Sequence, residues 1–351
     1  MSSISKPGIE SFSNPLRVGL VGCGSVAKLH AERMAADPRV QLVLLSDPKR
    51  ENAEALARLY APEATLESDA IAGITGNSLD AVVLCSPTQN HHEQASAALD
   101  SKIHVLCEKP LAAHREEILD LIRRRDQAER LLSVSYQRRY EAPYVTARRE
   151  LSRRADWYGA VKQIHVFVCE RWQQTIAGTW RDDPRVGSGY FGDAGSHQID
   201  ACFFITGLAP QSVFARSHKC GSNVEIVTEV LAELTGGVDL VAHFVGNANH
   251  WREDIHFHCE HADLLLRSEE LFRAKNNAVE SIADLERKSN PNRGFFDAIL
   301  ENVPLVSPAE CALPMSDWTT AVLKSSATGE WVQVREAHAT GVHYTHSIGR
   351  R

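Results

Sequence analysis

The feature that most constrains this chain is a glycine-rich turn directly after a short apolar run near its start. Leu16 to Val21 is predicted to form a buried strand, because a short apolar run bounded by turn residues is typical of one. The G-x-G-x-x-A spacing that follows allows a tight bend and a close approach of a pyrophosphate to a helix N-terminus. Its residues are Gly22, Gly24, Ser25, Val26 and Ala27. Ordinary strand-turn-helix units also show this spacing, so the prediction of a bound dinucleotide depends on the rest of the chain.

Apolar runs of strand length alternate with helical patterns as far as residue 134. The predicted strands are Val40–Leu45, Ala81–Cys85, Ile103–Leu106 and Leu131–Val134, and the predicted helices are Ser25–Ala36, Lys49–Tyr60, a helix ending at Leu99 and His114–Glu129. This alternation is typical of a parallel, doubly wound sheet. The sequence therefore predicts an α/β domain of Rossmann type over residues 14–135.

Polar residues follow the predicted strands, where ligands of such sheets bind. The candidate cofactor residues in these loops are Asp47, Ser86, Pro87, His91, Glu108 and Lys109. Asp47 lies 25 positions after Gly22, near the place of the carboxylate that binds the adenosine ribose, which favours NAD. The adjacent Lys49 and Arg50 leave NADP possible, and Asp47 would equally serve as the cap of the next helix.

From Tyr136 onward, alternating patterns predict antiparallel strands. They are Val161–Val168, Val213–Ser217, Thr228–Leu234, Val238–Phe244 and Ile255–Cys259. Helices are predicted near 141–152 and 193–206 and from Pro308 to Thr328. We expect an α+β domain over residues 136–334, with a large, mainly antiparallel open sheet that binds substrate and forms a homo-oligomer through its uncovered face. Residues 335–351 are predicted to be a polar, loosely ordered tail.

The composition is that of a soluble globular protein, with 43% hydrophobic and 24% charged residues. A net charge of −7 argues against a nucleic-acid partner. The sequence shows neither a secretory leader nor an apolar run long enough for a membrane span, which predicts a cytoplasmic protein. Its eight cysteines are scattered without a C-x-x-C pair, so they are expected to be reduced and mostly buried.

Three separated segments together resemble the Gfo/Idh/MocA family of NAD(P)-dependent oxidoreductases. They are Gly22–Ala27, Glu108–Pro110 and Gly187–His197, the last reading GSGYFGDAGSH. The resemblance implies a catalytic group of Lys109, Asp193 and His197. The chain departs from the family pattern at Ser86, at Ser188 and in the segment 136–140, and the last departure bears on the substrate contacts.

The chemistry of these three residues agrees with the resemblance. Asp193 and His197 are four apart, so on a helix beginning at Asp193 they would share one face. An imidazole can accept the proton of a secondary alcohol as hydride leaves, and an ammonium group stabilises the developing alkoxide. His197 is therefore the expected base, Lys109 the expected oxyanion partner, and Asp193 orients His197 or binds a substrate hydroxyl. Individually, the three also fit a helix cap, a core histidine and a loop lysine.

Arginine and tryptophan side chains near these segments suit a polyol. The predicted substrate residues are Lys109, Arg138, Trp180, Arg181, Asp193 and His197, with Arg171 and Trp172 also close in sequence. Ordinary packing and surface ion pairs explain the arginines and tryptophans equally well. His256, His258, His261 and Cys259 resemble metal ligands, but no second cluster at a recognised spacing supports them. We predict no metal.

The sequence thus predicts an NAD(P)-dependent dehydrogenase that acts on a secondary hydroxyl of a sugar, cyclitol or related polyol, as a homodimer or homotetramer. Two alternatives keep the same cofactor crevice. One is a redox-neutral, NAD-using glycosidase, and the other is a non-enzymatic regulator that responds to NAD or sugar.

Overall fold

The computed structural model describes residues 15–334, so the predicted tail at 335–351 lies outside the described residues. Contacts divide the chain into two units. The first comprises the residues up to Tyr136 together with Ser289–Ala312, and the second comprises Gln137–Lys288 and the residues from Leu313 onward. This division differs from the predicted single crossing at residue 136, because the chain returns to the first unit after residue 288.

The first pass of the chain through the first unit alternates strands and helices as predicted. Its strands are β1 Leu16–Val21, β2 Val40–Ser46, β3 Thr65–Glu67, β4 Ala81–Leu84, β5 His104–Cys107 and β6 Leu132–Val134. Its helices are α1 Ser25–Ala35, α2 Arg50–Tyr60, α3 Ala70–Gly76, α4 His91–Asp100 and α5 Arg115–Ala128, with a 3-10 turn at Thr88–Asn90. β3 and α3 are short, and the sequence pattern did not predict them.

The six strands form one parallel sheet in the order β3-β2-β1-β4-β5-β6. This is the Rossmann order, and it confirms the predicted fold class of the first unit. β1 and β4 are almost wholly buried, as strands covered on both faces must be. Because the strands are parallel, the turns that follow β1, β2 and β4 lie at the same edge of the sheet.

The second unit begins with short helices and then builds a large sheet. Its helices are α6 Ala142–Arg153, α7 Ala155–Tyr158, α8 Trp172–Ile176, α9 Gly189–Gly192 and α10 Ser196–Thr206, with 3-10 turns at Gln137–Tyr140 and Trp180–Asp182. Its strands up to residue 288 are β7 Val161–Cys169, β8 Pro210–His218, β9 Val227–Leu234, β10 Val238–Val245, β11 Arg252–Cys259, β12 Asp263–Arg267, β13 Glu270–Lys275 and β14 Ala278–Ser281.

The last described residues hold α11 Pro291–Glu301, a 3-10 turn at Ala309–Cys311, α12 Ala312–Thr328 and β15 Val332–Gln333. α11 was not predicted from the sequence. Its Phe295 and Phe296 are buried in the hydrophobic core of the first unit, which explains why this segment groups with that unit. The predicted helix Pro308–Thr328 is instead a 3-10 turn followed by α12.

Nine strands form the second sheet, in the order β14-β13-β12-β11-β7-β10-β9-β8-β15. Every pair is antiparallel except β7 and β10, so the predicted mainly antiparallel sheet is confirmed. In β9 the side chains alternate between buried and exposed, as in a sheet with one covered face. β12 to β14 were not predicted.

The eight cysteines form no disulfide. Five of them are buried, as expected for small apolar side chains, and Cys220 alone is exposed. Among residues 15–334, no helix is long and apolar enough to cross a membrane.

Candidate functional site

The turn after β1 has the geometry that a dinucleotide requires. Gly22 has a φ of +83°, and a Cβ there would lie 2.5 Å from the backbone nitrogen of Ser86. Gly24 precedes α1, and a Cβ at that position would meet no atom within 4 Å, so the space above the helix N-terminus is open. Ala27 is fully buried under this turn, whereas Ser25 and Val26 are exposed in the first helical turn. These residues fit a pyrophosphate bound at the start of α1.

Asp47 holds this turn together. Its carboxylate accepts hydrogen bonds from the backbone N–H of Cys23 at 2.7 Å, from that of Lys49 at 2.9 Å and from the Asn52 side chain at 3.2 Å. A carboxylate offers about four acceptor positions, so one remains for a ribose hydroxyl. Asp47 is not the cap of the next helix, because α2 has Lys49 as its N-cap and no side-chain cap hydrogen bond. Its contact with a ribose stays a prediction.

The loop after β4 is fixed by its own side chains. Ser86 donates its hydroxyl to Gln94 at 2.6 Å. His91 is buried, and its two ring nitrogens lie 2.8 Å from the carbonyl oxygens of Ser86 and Pro110. Burial lowers the pKa of His91. A neutral imidazole has one N–H, so His91 donates to only one of these two carbonyls while it lies between the loops at Ser86 and Pro110. The cofactor contact predicted for His91 stays a prediction.

Glu108 and Lys109 follow β5. Burial alone would raise the pKa of Glu108, but a hydrogen bond and charge from His30, a hydrogen bond from Ser135 and the charge of Lys109 outweigh it and lower the pKa to about 2. The Lys109 backbone N–H also lies 3.3 Å from the Glu108 carboxylate. His30 was not among the predicted site residues, although a histidine on the buried face of α1 was a signal visible in the sequence.

In the second unit, the helix predicted to begin at Asp193 begins at Ser196 instead, so the expectation that Asp193 and His197 share one helical face is wrong. Asp193 lies at the end of α9, and Ser196 donates its hydroxyl to the Asp193 carbonyl at 2.6 Å. The backbone departs from helical geometry at Asp193, where φ is −89° and ψ is −80°, so α9 ends there and α10 begins three residues later.

Arg181 is held beside Asp193, and its predicted contact with the substrate stays a prediction. The Arg181 guanidinium donates to the Asp193 carboxylate at 2.7 Å and lies over the Trp180 ring, 4.4 Å from its centroid. Arg181, Trp180 and Asp193 therefore form one cluster of a cation, an aromatic ring and a carboxylate in the second unit.

Arg138 has a different environment. Its guanidinium pairs with Glu253 at 2.9 Å and with Glu141 at 2.6 Å, and its side chain is nine-tenths buried. Glu253 is fully buried and also accepts hydrogen bonds from Tyr144 and Gln198. This network gives Arg138 a structural role within the second unit, and its predicted substrate contact is untested.

The remaining predicted candidates lie at the start of α8 and on β11 of the second sheet. Arg171 bonds Gln174, and Trp172 is buried against Tyr190. His256 and His258 are adjacent on one sheet face, with ring centroids 6.1 Å apart. Between residues 15 and 334, no group of three or more histidine, cysteine or acidic side chains is arranged to hold a metal ion.

Two family models match the chain. The model described as the oxidoreductase family with an NAD-binding Rossmann fold, GFO_IDH_MocA, matches residues 16–136. The model of the GFO/IDH/MocA C-terminal domain matches residues 147–265.

Among curated proteins, D-glucoside 3-dehydrogenase of Escherichia coli K12 is 29% identical over 212 residues, which are 59% of this chain and 59% of that protein. Inositol 2-dehydrogenase of Paracoccus denitrificans is 32% identical over 194 residues, which are 53% of this chain and 52% of that protein. The matched region thus spans between half and three fifths of these relatives' length.

Solved structures share the fold over nearly the whole chain. The WlbA dehydrogenase from Bordetella pertussis, solved with NADH and UDP-GlcNAcA, has a TM-score of 0.82 at 21% identity and covers 92% of this chain and 99% of its own. GenD2 from gentamicin A biosynthesis, solved with NAD, has a TM-score of 0.74 at 20% identity, and the match covers 94% of this chain and 99% of GenD2. At these identities the likeness concerns the fold alone.

Proposed function

This chain belongs to the Gfo/Idh/MocA family of NAD-binding oxidoreductases, and on that premise we propose that it transfers hydride between NAD and a secondary alcohol of a sugar, cyclitol or related polyol. The observation that carries the proposal is the joint presence of the dinucleotide turn and the residues Lys109, Asp193 and His197. The curated relatives named as glucoside and inositol dehydrogenases support this substrate class.

In the proposed reaction the bound nicotinamide supplies the hydride acceptor. His197 accepts the proton of the substrate hydroxyl, because an imidazole titrates near neutral pH. The Lys109 ammonium group stabilises the negative charge that develops on the substrate oxygen. Asp193 is held by Arg181, and we assign it to a neighbouring hydroxyl, with Trp180 offering an apolar face to the polyol ring.

The test is a panel of sugars and inositols assayed for NAD and NADP reduction, with NAD binding measured separately. We expect reduction with at least one polyol and a preference for NAD, because the Asp47 carboxylate would repel a 2′-phosphate. Lys109→Ala serves as the inactive control. Bound NAD with no reduction across the panel would shift the assignment to the redox-neutral glycosidase or to the regulator.

We also assign the uncovered face of the nine-stranded sheet to contact with a second copy of this chain. Directly paired positions on neighbouring strands share one face, and here they form a row across the centre of the sheet. The row consists of Phe214, Leu231, Val241, His165 and His256. Leu231 is 46% exposed in this row, and Trp331 extends it beside Phe214. Phe214, Leu231 and Val241 are the apolar part of this row, and an exposed apolar patch on an open sheet suits burial against a partner sheet.

A further inference from the structure

A buried histidine on α1 connects the catalytic segment of the first unit to a distant part of the chain. His30 is 1% exposed, and its Nε2 lies 2.9 Å from Oε1 of Glu108. Its Nδ1 lies 2.8 Å from Oδ1 of Asn292, at the start of α11. The sequence separations are 78 and 262 residues, so only the fold brings these three side chains together.

The direction of the hydrogen bond to Glu108 follows from the chemistry of the partners. An ionised carboxylate only accepts hydrogen bonds, so Nε2 of His30 must donate to Glu108. The side-chain amide of Asn292 can present either its oxygen or its nitrogen to Nδ1 of His30. With the oxygen facing Nδ1, the amide nitrogen is buried without a hydrogen-bond partner among the described residues. In both amide orientations, His30 is a donor to Glu108.

Glu108 in turn holds the segment that carries Lys109. Its carboxylate also accepts from the Ser135 side chain and from the backbone N–H of Lys109. A buried carboxylate that loses one of its donors must find a new partner, take up a proton or move. A new partner or a movement of the carboxylate changes its hydrogen bond to the Lys109 backbone N–H.

The same network lies at both places where the chain passes between the units. Ser135 directly precedes Tyr136, the last residue before the chain leaves the first unit. Asn292 lies shortly after Ser289, where the chain returns to that unit. Glu108 is thus tied to the outgoing chain through Ser135 and to the returning chain through His30 and Asn292.

We propose that His30 is a positioning residue for Lys109, acting through Glu108, and that it fixes this segment against both chain crossings. The proposal rests on the proposed role of Lys109. His30 itself need not touch substrate or cofactor. Its effect is expected on the chemical step, because Lys109 stabilises charge that exists only in the transition state.

The kinetic test combines four variants. We expect His30→Ala to lower kcat on the order of tenfold, with the polyol KM and the NAD Kd within about twofold of the parent values. His30→Gln, whose amide can donate to Glu108, should recover most of kcat. In a Lys109→Ala background, His30→Ala should cost nothing further, because its effect passes through Lys109. His104→Ala removes another histidine of this unit, at the opposite end of β5, and should leave kcat unchanged.

A second readout requires no turnover. The lysines are labelled by isotopic methylation, and the NMR signal of Lys109 is assigned by its loss in Lys109→Arg. We expect this signal to shift in His30→Ala and to return to the parent position in His30→Gln. In His104→Ala it should stay at the parent position. If no polyol is oxidised but this pattern holds, the proposed function fails and the positioning role stands. An unmoved Lys109 signal in His30→Ala, or additive kcat losses in the double variant, would overturn the positioning role.

Discussion

Lys109 and His197 are the two side chains on which the proposed chemistry depends, and neither belongs to the turn that would bind the pyrophosphate. Replacing either by alanine removes a charge or a proton acceptor and leaves Gly22 and Asp47 in place. We expect each alanine variant to lower kcat by roughly a hundredfold or more, with NAD affinity nearly unchanged.

The measurement is steady-state kinetics with the best polyol of the panel, together with calorimetric titration of NAD. Arg185→Ala is a suitable control, because Arg185 is an exposed arginine that pairs only locally with Asp183 among the described contacts. A Lys109→Ala or His197→Ala enzyme with near-normal turnover would remove that residue from the mechanism.

At the scale of secondary-structure elements, the junction of β5 and β6 contains a histidine that limits acid stability. The backbone N–H of Leu131 donates to Nδ1 of His104 at 3.0 Å. Burial, with a smaller contribution from Arg130, lowers the pKa of His104 to about 4. The pKa of a histidine in the unfolded chain is about 6.5. Between pH 6.5 and about pH 4, His104 is therefore protonated more readily in the unfolded chain than in the folded protein, so the free energy of unfolding falls as the pH falls.

His104→Gln keeps an acceptor for Leu131 and removes the titration. We expect the free energy of unfolding of the parent protein to lose roughly 2 kcal/mol more than that of the variant between neutral pH and about pH 5. Urea unfolding at the two pH values measures the difference. Equal losses in the parent and in His104→Gln would contradict the assigned environment of His104.

At the scale of the whole molecule, the proposed sheet contact predicts a change in mass. Leu231→Glu places a charge in the apolar row and should convert the oligomer into monomer, because burying an unpaired carboxylate at an interface is costly. Leu59→Glu is the matched control: Leu59 is 65% exposed on α2, outside this sheet. Sedimentation analysis distinguishes the species. An unchanged mass in Leu231→Glu would assign the contact to another surface.

The sequence by itself determined the parts of this protein whose physics is local. The parallel sheet of the first unit follows from apolar runs and helical periodicity, and the glycine turn follows from a backbone conformation that only glycine adopts easily. Asp47 and Glu108 were predicted as cofactor residues because they follow strands, where such folds bind ligands, and their cofactor contacts stay predictions.

Only the tertiary structure decided which distant side chains meet. The backbone of Asp193 departs from helical geometry at the end of α9, so α10 begins at Ser196 and not at Asp193, where spacing alone had placed its start. The burial of Phe295 and Phe296 returned α11 to the first unit, and with it Asn292 came to His30. Such contacts depend on packing between segments far apart in sequence, and no local pattern of residue types encodes which segments those are.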